Sequence, residues 1–91
     1  MSYRLEYTGK IKKDIKLAQK RGLDMLLFKE VVVLLEKEGK LPAKYKPHKL
    51  SGNYTGMWEC HIQPDWLLVW EQNESVRLIT LYRTGTHADL F

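Results

Sequence analysis

Two amphipathic segments separated by a very short link dominate the first half of this chain. Across residues 8–21, Ile11, Ile15 and Ala18 fall on one helical face, with Thr8 placed to cap the start and Gly22 to stop the run. Asp24 then offers a cap for a second helix from Met25 to about Glu38, which Gly39 ends. Its apolar stripe is Phe28, Val31, Val32 and Leu35, widened by Leu27 and Leu34. Gly22 and Leu23 leave so little chain between the helices that they must fold back on each other as an antiparallel hairpin.

That hairpin needs a layer to pack on, and the rest of the sequence supplies strands. Residues 2–7 alternate, with Tyr3, Leu5 and Tyr7 on one side and Ser2, Arg4 and Glu6 on the other. Residues 40–54 read as loop, punctuated by Pro42, Pro47 and the turn residues Ser51-Gly52-Asn53. Three strand-like runs follow, over about 56–62, 66–72 and 76–83, broken at Pro64-Asp65 and at Asn73-Glu74. Such short links predict an antiparallel meander. The expected fold is α+β in the order β-α-α-β-β-β. The helical hairpin covers one face of a twisted antiparallel sheet and the other face stays open for a ligand.

The 91 residues set the expectation of one domain, residues 1–91. A content of 44% hydrophobic and 29% charged residues suits a globular protein rather than a disordered one. The single cysteine, Cys60, excludes an internal disulfide and a cysteine-based zinc site. It shares a strand with His61 and points to the opposite face, so it reads as a small buried apolar group. No apolar signal core opens the chain, and the longest aliphatic run, residues 31–35, is too short to span a bilayer. The expected location is the cytoplasm, with no membrane partner.

The net charge of +4 is unevenly spread. Residues 1–46 carry 12 Lys and Arg against 6 Asp and Glu, and residues 47–91 carry 3 against 5. Lys12, Lys16 and Lys20 recur every four residues along one face of the first helix. The stripe fits contact with a phosphate backbone, and it equally fits a solvated helix face.

All three histidines lie in the second half: His48, His61 and His87. Histidine is the side chain suited to proton transfer near neutrality. Asp65 lies across a tight turn from His61, within reach of an imidazole, and Arg83 ends the last strand four residues before His87. Histidines and a carboxylate suit the two proton transfers of RNA cleavage, and a guanidinium suits the charge that builds on the phosphoryl oxygens. Trp66 and Phe91 could stack bases, or serve as a core residue and a docked chain end. The histidines could instead bind zinc, but they lack helical pair spacing, and the expectation is no metal. No phosphate-cradling glycine loop or dinucleotide fingerprint is present.

Four segments carry a family resemblance. They are Leu17-Ala18-Gln19-Lys20-Arg21, Pro47-His48-Lys49-Leu50-Ser51-Gly52, Cys60-His61-Ile62-Gln63-Pro64-Asp65-Trp66-Leu67-Leu68 and Arg83-Thr84-Gly85-Thr86-His87-Ala88-Asp89-Leu90-Phe91. In order and spacing they closely resemble the YafQ branch of the RelE/ParE toxin superfamily, nearly end to end. The resemblance implies a RelE-like fold and the toxin of a bacterial type II toxin–antitoxin pair. It implies an endoribonuclease that cuts mRNA on the translating ribosome without metal or cofactor. The products would be a cyclic or 3′-phosphate and a 5′-hydroxyl.

The family's active-site positions fall on His48, His61, Asp65, Arg83, His87 and Phe91, with Trp66 beside them. On this reading His87 and His48 are the proton-transfer pair, with Asp65 as an alternative base. His61 positions the phosphate and Arg83 stabilises charge. The partners implied are the ribosome with its mRNA and a DinJ-like antitoxin with an acidic, partly disordered segment; operator DNA is met only through that antitoxin. The Lys12, Lys16 and Lys20 face would serve ribosomal RNA, the antitoxin or both. Trp58 departs from the pattern, standing where many relatives carry arginine. The competing expectation is a non-catalytic RNA- or protein-binding toxin of the same fold, which would not need three histidines.

Overall fold

The structure, a computed structural model, describes residues 2–91. Helix α1 spans Gly9–Lys20 and helix α2 spans Met25–Glu38. Both begin on side-chain caps: Thr8 Oγ1 accepts the Ile11 N–H at 3.0 Å, and Asp24 Oδ1 accepts the Leu26 N–H at 3.0 Å. Gly39 takes the left-handed conformation, φ 66°, and returns its N–H to the Leu35 carbonyl, which closes α2. The two caps and the two glycine stops make the hairpin the sequence predicts.

The sheet has five strands in the order β1-β5-β4-β3-β2. They are β1 (Arg4–Tyr7), β2 (His48–Lys49), β3 (Trp58–Gln63), β4 (Trp66–Asn73) and β5 (Leu78–Gly85). Strands β2 to β5 are antiparallel, as the short links require. Strand β1 departs from the expected antiparallel sheet: it pairs parallel with β5, Arg4 opposite Leu78 through Tyr7 opposite Leu81. Alternation within residues 2–7 fixes which side chains turn inward but carries nothing about partner or direction. Strand β2 lies inside the segment read as loop. Its two residues are too few for a period-two pattern to register. A 3-10 turn, Ala43–Tyr45, precedes it, and a second, Gly52–Tyr54, follows. A short helix α3, His87–Leu90, follows β5.

The main core lies between the helical hairpin and one face of the sheet. Ile11, Val31, Leu35, Cys60, Leu68, Trp70, Ile79 and Leu81 are all buried there. Each buried Val, Leu or Ile contributes about 1.5–3 kcal/mol relative to exposure. The opposite face is not open, as the sequence reading had it. Leu67, Val69 and Leu90 form a second cluster, with Leu50, Tyr54, Met57 and Tyr82 packed against it. The loop after β2 and the terminal helix therefore cover the middle of that face. A bulge in β5, where Val69 pairs with Arg83 but Trp70 with Leu81, leaves Tyr82 as the extra residue and turns it toward this cluster.

Candidate active site

Strand register assembles the site on the face away from the helices. His48 pairs with Glu59, Glu59 with Val69 and Val69 with Arg83, a row that crosses four strands. The next row holds His61, Leu67 and Gly85. Residues in paired positions share a face, and neighbouring rows lie about 7 Å apart. His48 and His61 rings accordingly stand 6.2 Å apart, and His61 and His87 rings 5.8 Å apart. Three imidazoles separated by up to 39 residues of sequence form one continuous line, with His61 in the middle.

Each ring is fixed through Nδ1. His48 Nδ1 donates to the Lys46 carbonyl at 2.8 Å and His61 Nδ1 donates to the Pro64 carbonyl at 3.3 Å. His87 Nδ1 donates to Asp65 Oδ1 at 2.7 Å. Carbonyl and carboxylate oxygens can only accept, so in all three rings Nδ1 carries a proton and Nε2 is left to other partners. The three Nε2 atoms differ in what they meet. His48 Nε2 lies 3.1 Å from Glu59 Oε1, so one proton is shared between that nitrogen and that oxygen. Glu59 is only 4% exposed, and its Oε2 is buried with no hydrogen-bond partner among the described residues. Its hydrogen bonding is therefore directed at His48.

Asp65 is held below the usual aspartate range, first by the His87 backbone N–H at 3.0 Å and then by the His87 ring. The carboxylate anticipated as an alternative base is thus ionised and engaged in orienting an imidazole. Arg83 approaches from β5. Its Nε and Nη2 bind the two oxygens of Asp14 on α1 at 2.7 and 3.2 Å, which raises the guanidinium further above its ordinary value. Asp14 Oδ2 also accepts the Thr84 N–H at 3.1 Å. Phe91 is 59% exposed, with the edge of its ring toward Tyr54 at 5.2 Å, and Tyr54 in turn donates to the Leu90 carbonyl. An exposed ring held from one side is a surface on which a base can stack.

One expectation is revised. Trp66 is 2% exposed, stacks on Phe28 at 6.3 Å and donates Nε1–H to Thr84 Oγ1 at 3.0 Å. It is a core residue, out of reach of a base, because alternation along β4 puts Trp66, Leu68 and Trp70 together on the helix side. Trp58 also turns to the helix side, stacked on Trp70 at 6.2 Å, so the departure at that position does not touch the histidine face. Lys12, Lys16 and Lys20 are exposed along α1 but are not gathered with the histidines.

The sequence reading missed Glu59, Asp14, Arg21 and Asp89. Only Glu59 had a local signal, since it alternates with buried Cys60 and so shares a face with His61. Cys60 itself is buried as read, and burial pushes its thiol up to about 12.

Residues 3–91 match the family described as the bacterial toxin of type II toxin–antitoxin systems, YafQ. The chain belongs to the YafQ toxin family. Among YafQ relatives, the mRNA interferase toxin YafQ of Escherichia coli K12 is 44% identical over 96% of this chain and 94% of its own length. The crystal structure of YafQ from E. coli BL21(DE3) superposes with a TM-score of 0.91 at 41% identity, covering 98% of each chain. The E. coli DinJ–YafQ toxin–antitoxin complex gives 0.90 at 42% identity, covering 100% of this chain and 99% of that one.

Proposed function

We propose that this YafQ-family chain is an mRNA interferase that cuts mRNA presented by the ribosome, using the RNA's own 2′-hydroxyl and no metal. The observation that carries the reading is the line of three imidazoles, each with Nδ1 tied and Nε2 turned to use. His87 Nε2 takes the 2′-hydroxyl proton as the 2′-oxygen attacks phosphorus. The P–O5′ bond breaks, and the proton shared by His48 and Glu59 passes to the leaving 5′-oxygen. The products are a 2′,3′-cyclic phosphate and a 5′-hydroxyl.

Asp65 keeps the His87 ring oriented and stabilises its protonated form, the part a carboxylate plays beside a catalytic imidazole. His61, between the two proton carriers, hydrogen-bonds the phosphoryl group. Arg83 gives two of its five N–H donors to Asp14, leaving three for the charge that develops on phosphorus oxygens. Phe91 stacks a base of the substrate. The Lys12, Lys16 and Lys20 face meets ribosomal RNA. The neutralising partner is a DinJ-like antitoxin, whose acidic segment is drawn to the same basic half.

No helix among the described residues is long and apolar enough to cross a membrane, and the proposed site of action is the cytoplasm. The test is mRNA cleavage on programmed ribosomes, comparing wild type with His87→Ala, with analysis of the product ends and a ribosome-free control. Cuts that require His87 and leave no 3′-hydroxyl support the reading. Cuts indifferent to His87, or cuts that leave a 3′-hydroxyl, overturn it.

A further inference from the structure

The segment from Arg83 to Asp89 carries two of the site's groups, and its far end packs on the sheet side through Leu90 while its other side faces α1 across a cleft. Helix α3 has four residues, too few to be stable alone, so its geometry has to be imposed from outside. A cleft of about 370 Å³ separates it from α1, lined by Leu17, Leu23, Pro64, Trp66, Thr84 and Gly85 among others. One ion pair bridges that cleft. Arg21, the residue that caps the C-terminus of α1, forks onto Asp89: Nη1 to Oδ2 at 2.7 Å and Nη2 to Oδ1 at 3.2 Å.

Asp89 Oδ2 also accepts the Thr86 N–H at 2.9 Å, and Thr86 Oγ1 accepts the Asp89 N–H at 3.1 Å. This reciprocal box brackets His87 on both sides. The approach depends on Gly85, where a Cβ would lie 2.8 Å from Asp89 Oδ2.

We infer that Arg21 and Asp89 are a positioning pair for the toxin's cleavage reaction, fixing from α1 the orientation of His87 that Asp65 fixes from the β3–β4 turn. The inference rests on the reading of His87 as proton carrier. An exposed ion pair contributes little to global stability, so its loss should be felt as lost geometry rather than unfolding. Arg21 touches no reacting atom, and it acts through Asp89 and the Thr86 box.

The experiment pairs kinetics on programmed ribosomes with amide hydrogen exchange at His87, for Asp89→Asn, Arg21→Gln, the double variant and Arg21→Lys. Asp89→Asn and Arg21→Gln should each lower kcat about tenfold with KM within about twofold, since small misplacements at a reacting group are costly. The double variant should be no slower than the slower single variant, because both remove one contact. Arg21→Lys should recover part of the loss. His87 amide exchange should quicken in both single variants while the melting temperature stays within a few degrees. Unchanged kcat, losses that multiply, a rise in KM alone, or unchanged exchange at His87 would each overturn the inference. If Asp89→Asn failed to fold, Arg21→Gln at the exposed helix end would decide alone. Should His87→Ala cut at the wild-type rate, the proton-carrier reading falls, and the exchange data still decide whether the pair positions the segment.

Discussion

Oδ1 of Asp65 accepts two hydrogen bonds from His87, one from its backbone N–H at 3.0 Å and one from its ring Nδ1 at 2.7 Å. One oxygen thus sets both where the residue sits and which way the ring turns. Asp65→Asn keeps the size of the group and an oxygen acceptor but removes the charge that favours the imidazolium. It should lower kcat by about 10–100-fold and leave KM nearly unchanged, as an interaction needed mainly in the transition state does. Single-turnover cleavage on programmed ribosomes reads this directly, and a rise in KM alone would assign Asp65 to substrate binding.

Acid should weaken the fold through carboxylates that are more acidic folded than unfolded. Asp89 is lowered from the ordinary 3.8, first by the Arg21 guanidinium and then by the Thr86 N–H, and Asp65 is lowered by His87. A depressed folded-state value means the unfolded chain binds the proton first. The stabilisation is complete above the ordinary value of 3.8 and is lost as pH falls below it, through the folded value. Melting temperatures measured from about pH 6 down to about pH 2 should therefore drop on the acid side. Asp89→Asn should flatten part of that drop, and an unaltered acid slope in this variant would contradict the assignment.

Trp66 separates stability from substrate binding. Trp66→Phe keeps the stack on Phe28 and deletes the bond to Thr84 Oγ1, which should cost about 1–3 kcal/mol in chemical denaturation. Trp66→Ala should cost about 3–5 kcal/mol. Under conditions where the Phe variant is folded, its KM should match wild type. A raised KM would return Trp66 to the substrate surface.

Cys60 reports on global opening. Its thiol is buried and pushed up to about 12, so thiolate is scarce and inaccessible at neutral pH. Alkylation of the native protein should be slow and should accelerate along the denaturation curve. Fast labelling under native conditions would mean that β3 opens locally.

The scaffold was legible in the sequence because its signals are local. Thr8 and Asp24 cap, Gly22 and Gly39 stop, and the stripes through Ile11 and Val31 repeat at helical spacing, so both helices follow from neighbours in the chain. The histidines, Asp65 and Arg83 were legible by residue type. What eluded the sequence depends on distant parts. The direction of β1 is set by β5, more than 70 residues away. The two-residue strand β2 exists because β3 offers it an edge. Asp14 and Arg21 read as ordinary charges on a helix until the fold sets them beside Arg83 and Asp89. Trp66 shares a face with Leu68 and Trp70 by alternation, but which face of β4 the hairpin covers is settled only when the distant helices pack.

The two ion pairs that tie α1 to the segment of Arg83 and His87 span 69 and 68 residues of chain. Synthesis delivers the helix first and its counterparts later. While the protein is being made, Asp14 and Arg21 emerge with nothing to grip, and the line of imidazoles lacks one end. The proposed centre cannot be assembled from the N-terminal half alone. Its geometry is complete only once residues 83–89 fold back onto α1.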